Sequence, residues 1–376
     1  MLVSIRRELH QNPEMAFREV ETAEVILNYL KSWGIETISN VAGTGVIGII
    51  NGEIQKPVIG LRADMDALPI QDKKDVEYKS KVANVMHACG HDAHVTMLLG
   101  AAYILSKYKD KINVKIKLIF QPAEEGPGGA KPLIQTGYID DLDIIFAQHV
   151  DPFLDVGTIG IQNDKAMAAI DKFNLKFIGK GGHGAYPHQT VDPIVVASQT
   201  IMAFQTVISR MINPLDQGVI TIGTINGGSK RNVIAEEVTL GGTIRTFCPN
   251  TRNEIHQNVT RIVESISGAY GTTHQLDYEL GYDPLINNKY AIDILKHTVS
   301  DLNRVQKFET LEPVMSSEDF GYYLSKFRGC LWWIGAKPNT PYPLHSPHFD
   351  INEDVLPLGV EMMVKITIKW ANLIKS

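Results

Sequence analysis

Val20, Ala23, Ile26, Leu27 and Leu30 recur at helical spacing between positions 19 and 31, and Gly34 ends the run. Two short stretches rich in β-branched residues, bounded by Gly or Pro, follow at 46–50 and 58–61, the pattern of buried strands. The alternation continues with a helix predicted over 96–108, a strand over 114–120, a helix over 133–136 and a strand over 144–147. Strands interleaved with helices predict an α/β fold: a mainly parallel sheet with helices on both faces.

The rhythm changes near position 169. Alternating strands are expected at 173–178, 218–225, 237–247 and 274–280, with helices at 193–210 and 252–270. That β-α-β-β-α-β order is a ferredoxin-like α+β unit, inserted into the first domain. The helix and strand patterns at 290–302, 331–334 and 355–374 then resume the first domain. The expected organisation is a catalytic, metal-binding domain in two parts, 1–168 and 282–376, interrupted by an inserted unit at 169–281.

Composition narrows the class. With 44% hydrophobic and 21% charged residues, the 376-residue chain reads as an ordinary globular protein large enough for two domains. A net charge of −6 argues against nucleic acid as a partner. Cys89, Cys248 and Cys330 are odd in number and scattered, so no disulfide framework is implied and a reducing cytoplasm suits them. Positions 1–10 contain Arg6, Arg7 and Glu8 and read as an opening helix, not a signal peptide. No apolar run approaches the ~20 residues that span a bilayer, so no membrane partner is expected.

The chemistry is concentrated in Met86-His87-Ala88-Cys89-Gly90-His91-Asp92 and Gln121-Pro122-Ala123-Glu124-Glu125-Gly126. Thiolate, imidazole and carboxylate are the ligands of zinc and its neighbours. Gly90 permits the bend that turns Cys89 and His91 toward one centre. A buried apolar thiol is the ordinary alternative for Cys89, but two His and an Asp beside it in a Gly turn favour metal. His87 reads equally as a support or a structural histidine. In Glu124-Glu125, one carboxylate can hold an ion while the other moves the proton of an attacking water. Asp64 and Asp66, Glu124 and Glu125, and His149 each follow a predicted strand, and open α/β sheets gather sites at that edge. His149 and His345 are each unremarkable alone, and His348 competes with His345.

Within the inserted unit, the Gly-rich hairpin 179–188 bears His183 and His188. No helix follows at once, so it is not a phosphate loop. A histidine there could donate to a developing oxyanion. Asn232 and Arg245 are further substrate-binding candidates, since a guanidinium holds a carboxylate with two prongs. A solvated strand end is an equal reading for Arg245.

Arg62-Ala63-Asp64-Met65-Asp66-Ala67-Leu68-Pro69, the His-Ala-Cys-Gly-His-Asp stretch, Gln121–Gly126, the hairpin and the His345 loop are matched in order and spacing by one family. With Leu9-His10-Gln11-Asn12-Pro13-Glu14 at the start, the chain resembles the amidohydrolases related to aminoacylase and carboxypeptidase over essentially its full length. That group includes hippurate hydrolases, N-acetyldiaminopimelate deacetylases and hydrolases of indole-acetyl amino acids. The resemblance implies two divalent metal ions per subunit (zinc, manganese, cobalt or nickel) held by Cys89, His91, Glu125, His149 and His345, with Cys89 as bridge. It implies Glu124 as general base and acid. Where the wider superfamily has a ligating His, this chain has Asp64, and Asp66 matches a supporting Asp. The inserted unit resembles the family's lid and dimerisation domain, which implies a homodimer or dimer-based oligomer, with His183 reaching an active site of the partner subunit.

The implied reaction is hydrolysis of an N-acyl amino acid to a carboxylate and a free amino acid. A dipeptidase or carboxypeptidase on short peptides is the alternative with the same metal chemistry. A binding protein that has lost turnover, or a redox thiol at Cys89, would be a different class.

Overall fold

Eight strands pair in the order Glu36–Val41, Gly45–Ile50, Lys115–Gln121, Val58–Asp64, Ile144–Asp151, Arg328–Gly335, Thr158–Ile161 and Lys307–Thr310 in the computed structural model, which describes residues 1–52 and 56–374. The four strands from Lys115–Gln121 to Arg328–Gly335 are mutually parallel, while Gly45–Ile50 and Thr158–Ile161 join them antiparallel. The sheet is therefore mixed, with a parallel centre and helices on both sides. Val58–Asp64 is buried along its whole length, as a central parallel strand covered on both faces must be.

The strand at 36–41 was not expected. Only Val41 of its six residues is buried, so this edge strand shows no apolar alternation to read. Thr158–Ile161 and Lys307–Thr310 have four residues each, too few for a periodic signal. The helix expected at 96–108 runs over His91–Lys107, five residues earlier. It is buried almost all round, against Phe120, Phe146, Trp332, Met362 and Ile366 of the same core.

The chain forms two units, one of Met1–Ala166, Ile286–Pro313 and Tyr322–Ser376, the other of Met167–Leu285 and Val314–Gly321. The second takes a stretch, Val314–Gly321, that the expected division left to the first. Ala168 N–H donates to Ser316 O at 2.9 Å, and Arg245 Nη1 donates to Met315 O at 2.7 Å, which ties that stretch down. Within this unit the antiparallel order is Gly218–Gly227, Glu237–Thr246, Ala169–Ile178, Thr273–Leu280, the ferredoxin-like arrangement. Helices Pro193–Thr206 and Pro249–Tyr270 pack against it through Val196, Phe204, Ile255 and Val259. The segment Pro193–Met211 is 19 residues long and apolar enough to cross a bilayer, a near exception to the expectation of no such run.

Candidate metal centre

Three neighbouring parallel strands end at one rim of the large sheet. Val58–Asp64 leads to Asp64 and Asp66, Lys115–Gln121 leads to Glu124 and Glu125, and Ile144–Asp151 carries His149. Shared polarity places their carboxyl ends together. Cys89 and His91 arrive from the turn that opens helix His91–Lys107. Gly90 there has φ 86°, and a Cβ would lie 2.4 Å from Val150 Cγ2, so the turn admits only glycine. His345 comes from a distant loop, at φ 65°, with its main-chain N–H donating to Ala88 O at 2.8 Å.

These five side chains converge. Cys89 Sγ lies 3.4 Å from His149 Nε2, and His345 Nε2 lies 3.1 Å from Glu125 Oε1. His91 Nε2 is 4.0 Å from both Glu124 Oε2 and Glu125 Oε1. Ligand atoms of Cys89, His91 and His149 form one group within 4.8 Å, and those of Cys89, Glu125 and His345 form another. Cys89 belongs to both. The tautomers suit metal: His91 Nδ1–H donates to Asp66 O at 2.9 Å and His149 Nδ1–H to Val150 O at 2.8 Å, so each offers its Nε2 lone pair inward. His91 Nε2 is buried with no hydrogen-bond partner among the described residues. A divalent cation satisfies that atom, and thiol, imidazoles and carboxylate are the donor set it takes.

The surrounding residues are joined by hydrogen bonds. Asp66 accepts the main-chain N–H of Glu124 at one oxygen and of Glu125 at the other, both at 3.0 Å, which fixes the paired glutamates. Both oxygens of the buried Asp64 carboxylate are engaged by neighbouring side chains. Its Oδ2 takes Arg62 Nη1 at 2.7 Å and its Oδ1 takes His94 Nδ1–H at 2.6 Å. His94 Nε2 accepts Val150 N–H at 3.0 Å, so both its nitrogens are committed to hydrogen bonds beside the centre. Sequence reasoning missed His94. It lies three residues after His91, hence on the same face, once the helix is known to start at 91.

Burial and neighbouring charges shift the protonation equilibria. Burial pushes the Cys89 thiol well up, and Glu125, Glu124 and Asp64 add to it. Burial alone would lower His91, but Asp64 and Asp66 outweigh it and raise it to about 10. Burial and His94 hold His149 well below the usual imidazole range. Glu125 is lowered against burial by His345 and His91. The metal-free pocket thus keeps protons on Cys89 and His91 that an arriving cation displaces.

The remaining candidates divide. His348 is exposed and lies with Tyr342 at 5.2 Å between ring centroids, outside the ligand groups, so His345 is the histidine brought to the centre. His87 is buried, and neither ring nitrogen has a partner among the described residues. His183, Asn232 and Arg245 all lie in the second unit. His183 is exposed beside Tyr186, and its Nδ1 accepts Ala185 N–H at 3.1 Å, leaving Nε2–H to donate outward. Asn232 O accepts Gly184 N–H at 2.9 Å, and Arg245 Nη1 also donates to Ser317 Oγ at 3.1 Å.

A sheet rim that gathers a shared thiol, imidazoles and carboxylates into two overlapping ligand groups defines a binuclear metallohydrolase. The chain belongs to peptidase family M20/M25/M40, whose model matches residues 60–369, and it is a metal-dependent amidohydrolase of that family. It is 41% identical over 378 residues to thermostable carboxypeptidase 2 of Saccharolobus solfataricus, covering 99% of this chain and 95% of that one. Against N-acetyl-L-cysteine deacetylase of Bacillus subtilis it is 41% identical over 357 residues, 94% of this chain and 84% of that protein. The crystal structure of the Bacillus subtilis YXEP protein, described as a dinuclear metal-binding peptidase from the M20 family, matches with TM-score 0.87 at 31% identity, covering 99% and 98% of the two chains.

Proposed function

We propose that this chain hydrolyses the amide bond of N-acyl amino acids carrying acetyl or aromatic acyl groups, releasing a carboxylate and a free amino acid. The observation that carries the reading is the paired carboxylates of Glu124 and Glu125 beside the thiol and imidazoles: both lie 4.0 Å from His91 Nε2, and Glu125 also lies 3.1 Å from His345 Nε2. Cys89, His91 and His149 would hold one ion, and Cys89, Glu125 and His345 a second, with Cys89 shared. Divalent ions such as zinc, manganese, cobalt or nickel, when bound, lower the pKa of water and polarise an amide carbonyl.

Glu124 takes the proton of the attacking water at its carboxylate and passes it to the nitrogen of the departing amine, which leaves poorly as an anion. Asp66 keeps Glu124 and Glu125 at fixed separation by holding both of their main-chain N–H groups. His183, reached from a partner subunit, donates Nε2–H to the developing oxyanion. Asn232 and the remaining edge of Arg245 receive the substrate's carboxylate. A second copy as partner is supported by the exposed apolar face of helix Pro193–Thr206, where Ile194, Val195 and Met202 face outward. A cytoplasmic location is supported by the ligand role of the Cys89 thiol, which oxidation would abolish.

Peptide cleavage from the carboxyl end is the second reading, favoured by the carboxypeptidase relative. Turnover of acetyl- and benzoyl-amino acids measured beside dipeptides separates the two, and exclusive dipeptide cleavage would reject the first. Glu124→Gln is expected to lower kcat by about a hundredfold or more, with metal content unchanged by elemental analysis.

A further inference from the structure

His345 differs from the other ligands in how it is held. Cys89, His91 and His149 are buried beside strand and helix ends, whereas the His345 side chain is 52% exposed on a loop. Its order must come from neighbours, and these are distant in sequence. Lys73 N–H donates to Pro347 O at 2.9 Å, and Lys74 Nζ donates to Phe349 O at 2.8 Å. Asp350 accepts Arg6 Nη2 at 2.9 Å and Tyr78 OH at 2.7 Å, one on each oxygen. Arg7 pairs with Glu353 at 2.7 Å.

Arg6 also donates Nε to Asp92 at 2.8 Å, the residue after His91. One fully buried guanidinium therefore ties the helix that presents His91 to the loop that presents His345. Ionised donors on carboxylates give short, directional bonds, and a planar guanidinium fixes the angle between its partners.

We infer that the N-terminal helix Leu2–Gln11 and the strap at 72–80 form a clamp that positions His345 and so sets the affinity of the second metal ion. The inference rests on the two-ion reading above. Arg6, Lys74, Tyr78 and Asp350 belong to none of the ligand groups, and they act through the loop. Loss of a support behind a metal ligand typically weakens binding by about tenfold to a hundredfold.

The test is stepwise calorimetric titration of the metal-stripped full chain with Co2+, comparing wild type with Asp350→Asn and with the milder Tyr78→Phe. Wild type is expected to bind two ions. In both variants the second ion should bind at least about tenfold more weakly, the first should keep its affinity, and the sulfur-to-cobalt absorption band of the first ion should persist. Equal weakening of both ions, or an unchanged second ion in both variants, would overturn the clamp while leaving the two-ion reading intact. A wild type that binds a single ion would overturn that reading and the clamp with it.

Discussion

His91 presents Nε2 to the rim because the Asp66 carbonyl takes the proton of Nδ1, and the same Asp66 carboxylate grips the backbone of both glutamates. A single residue thus sets the tautomer of His91 through its carbonyl and the placement of both glutamates through its carboxylate. Because His91 is raised to about 10 and the Cys89 thiol is pushed up by burial, metal uptake must expel protons. Apparent metal affinity is therefore expected to rise between pH 6 and 8, as measured by competition with a chelator of known pH dependence. His87 is shifted in the opposite direction. Burial lowers it to about 3, so between there and its ordinary value of 6.5 the unfolded chain binds a proton that the fold refuses. Stability then falls as the pH drops through that window, by about 1 kcal/mol per pH unit from this group. His87→Leu, which leaves no buried partner behind, is expected to flatten the acid limb of urea-melt stability between pH 4 and 6.

At the level of elements, the decisive piece is the start of helix His91–Lys107. Apolar periodicity begins only at about position 96, because His91, Asp92 and His94 turn toward the site, the Arg6 network and Asp64. Functional side chains on a buried helix break the amphipathic signal that marks a helix in sequence. Gly90 makes the junction possible, with φ 86° and Val150 against its missing Cβ. Gly90→Ala is expected to destabilise the metal-free chain by about 1 kcal/mol or more, by thermal unfolding, and to weaken metal binding, because Cys89 and His91 flank the displaced turn. The strands that carry the ligands were legible as apolar runs. The edge strand at 36–41, with a single buried side chain, was not.

For the molecule as a whole, the second unit pairs a packed core with an outer helix face that its own sheet does not cover. Met202 on that face is 68% exposed. If that face meets another copy, Met202→Glu should convert the dimer to monomer in sedimentation velocity and lower kcat through loss of the partner's His183. A wild-type monomer with full turnover would count against both roles. The donor types, their order along the chain and the family are local properties of sequence, carried by motifs of a few residues each. Strand-end placement of Asp64, Glu124 and His149 followed from the α/β alternation alone. Which histidine of the 345–348 loop joins the candidate ligand groups, which His91 and His149 nitrogens face inward, and that Arg6 joins the segments carrying His91 and His345 required the folded chain. The Arg6 junction depends on hydrogen bonds between residues 86 and 344 positions apart, and no pattern within one segment encodes the geometry at which another arrives.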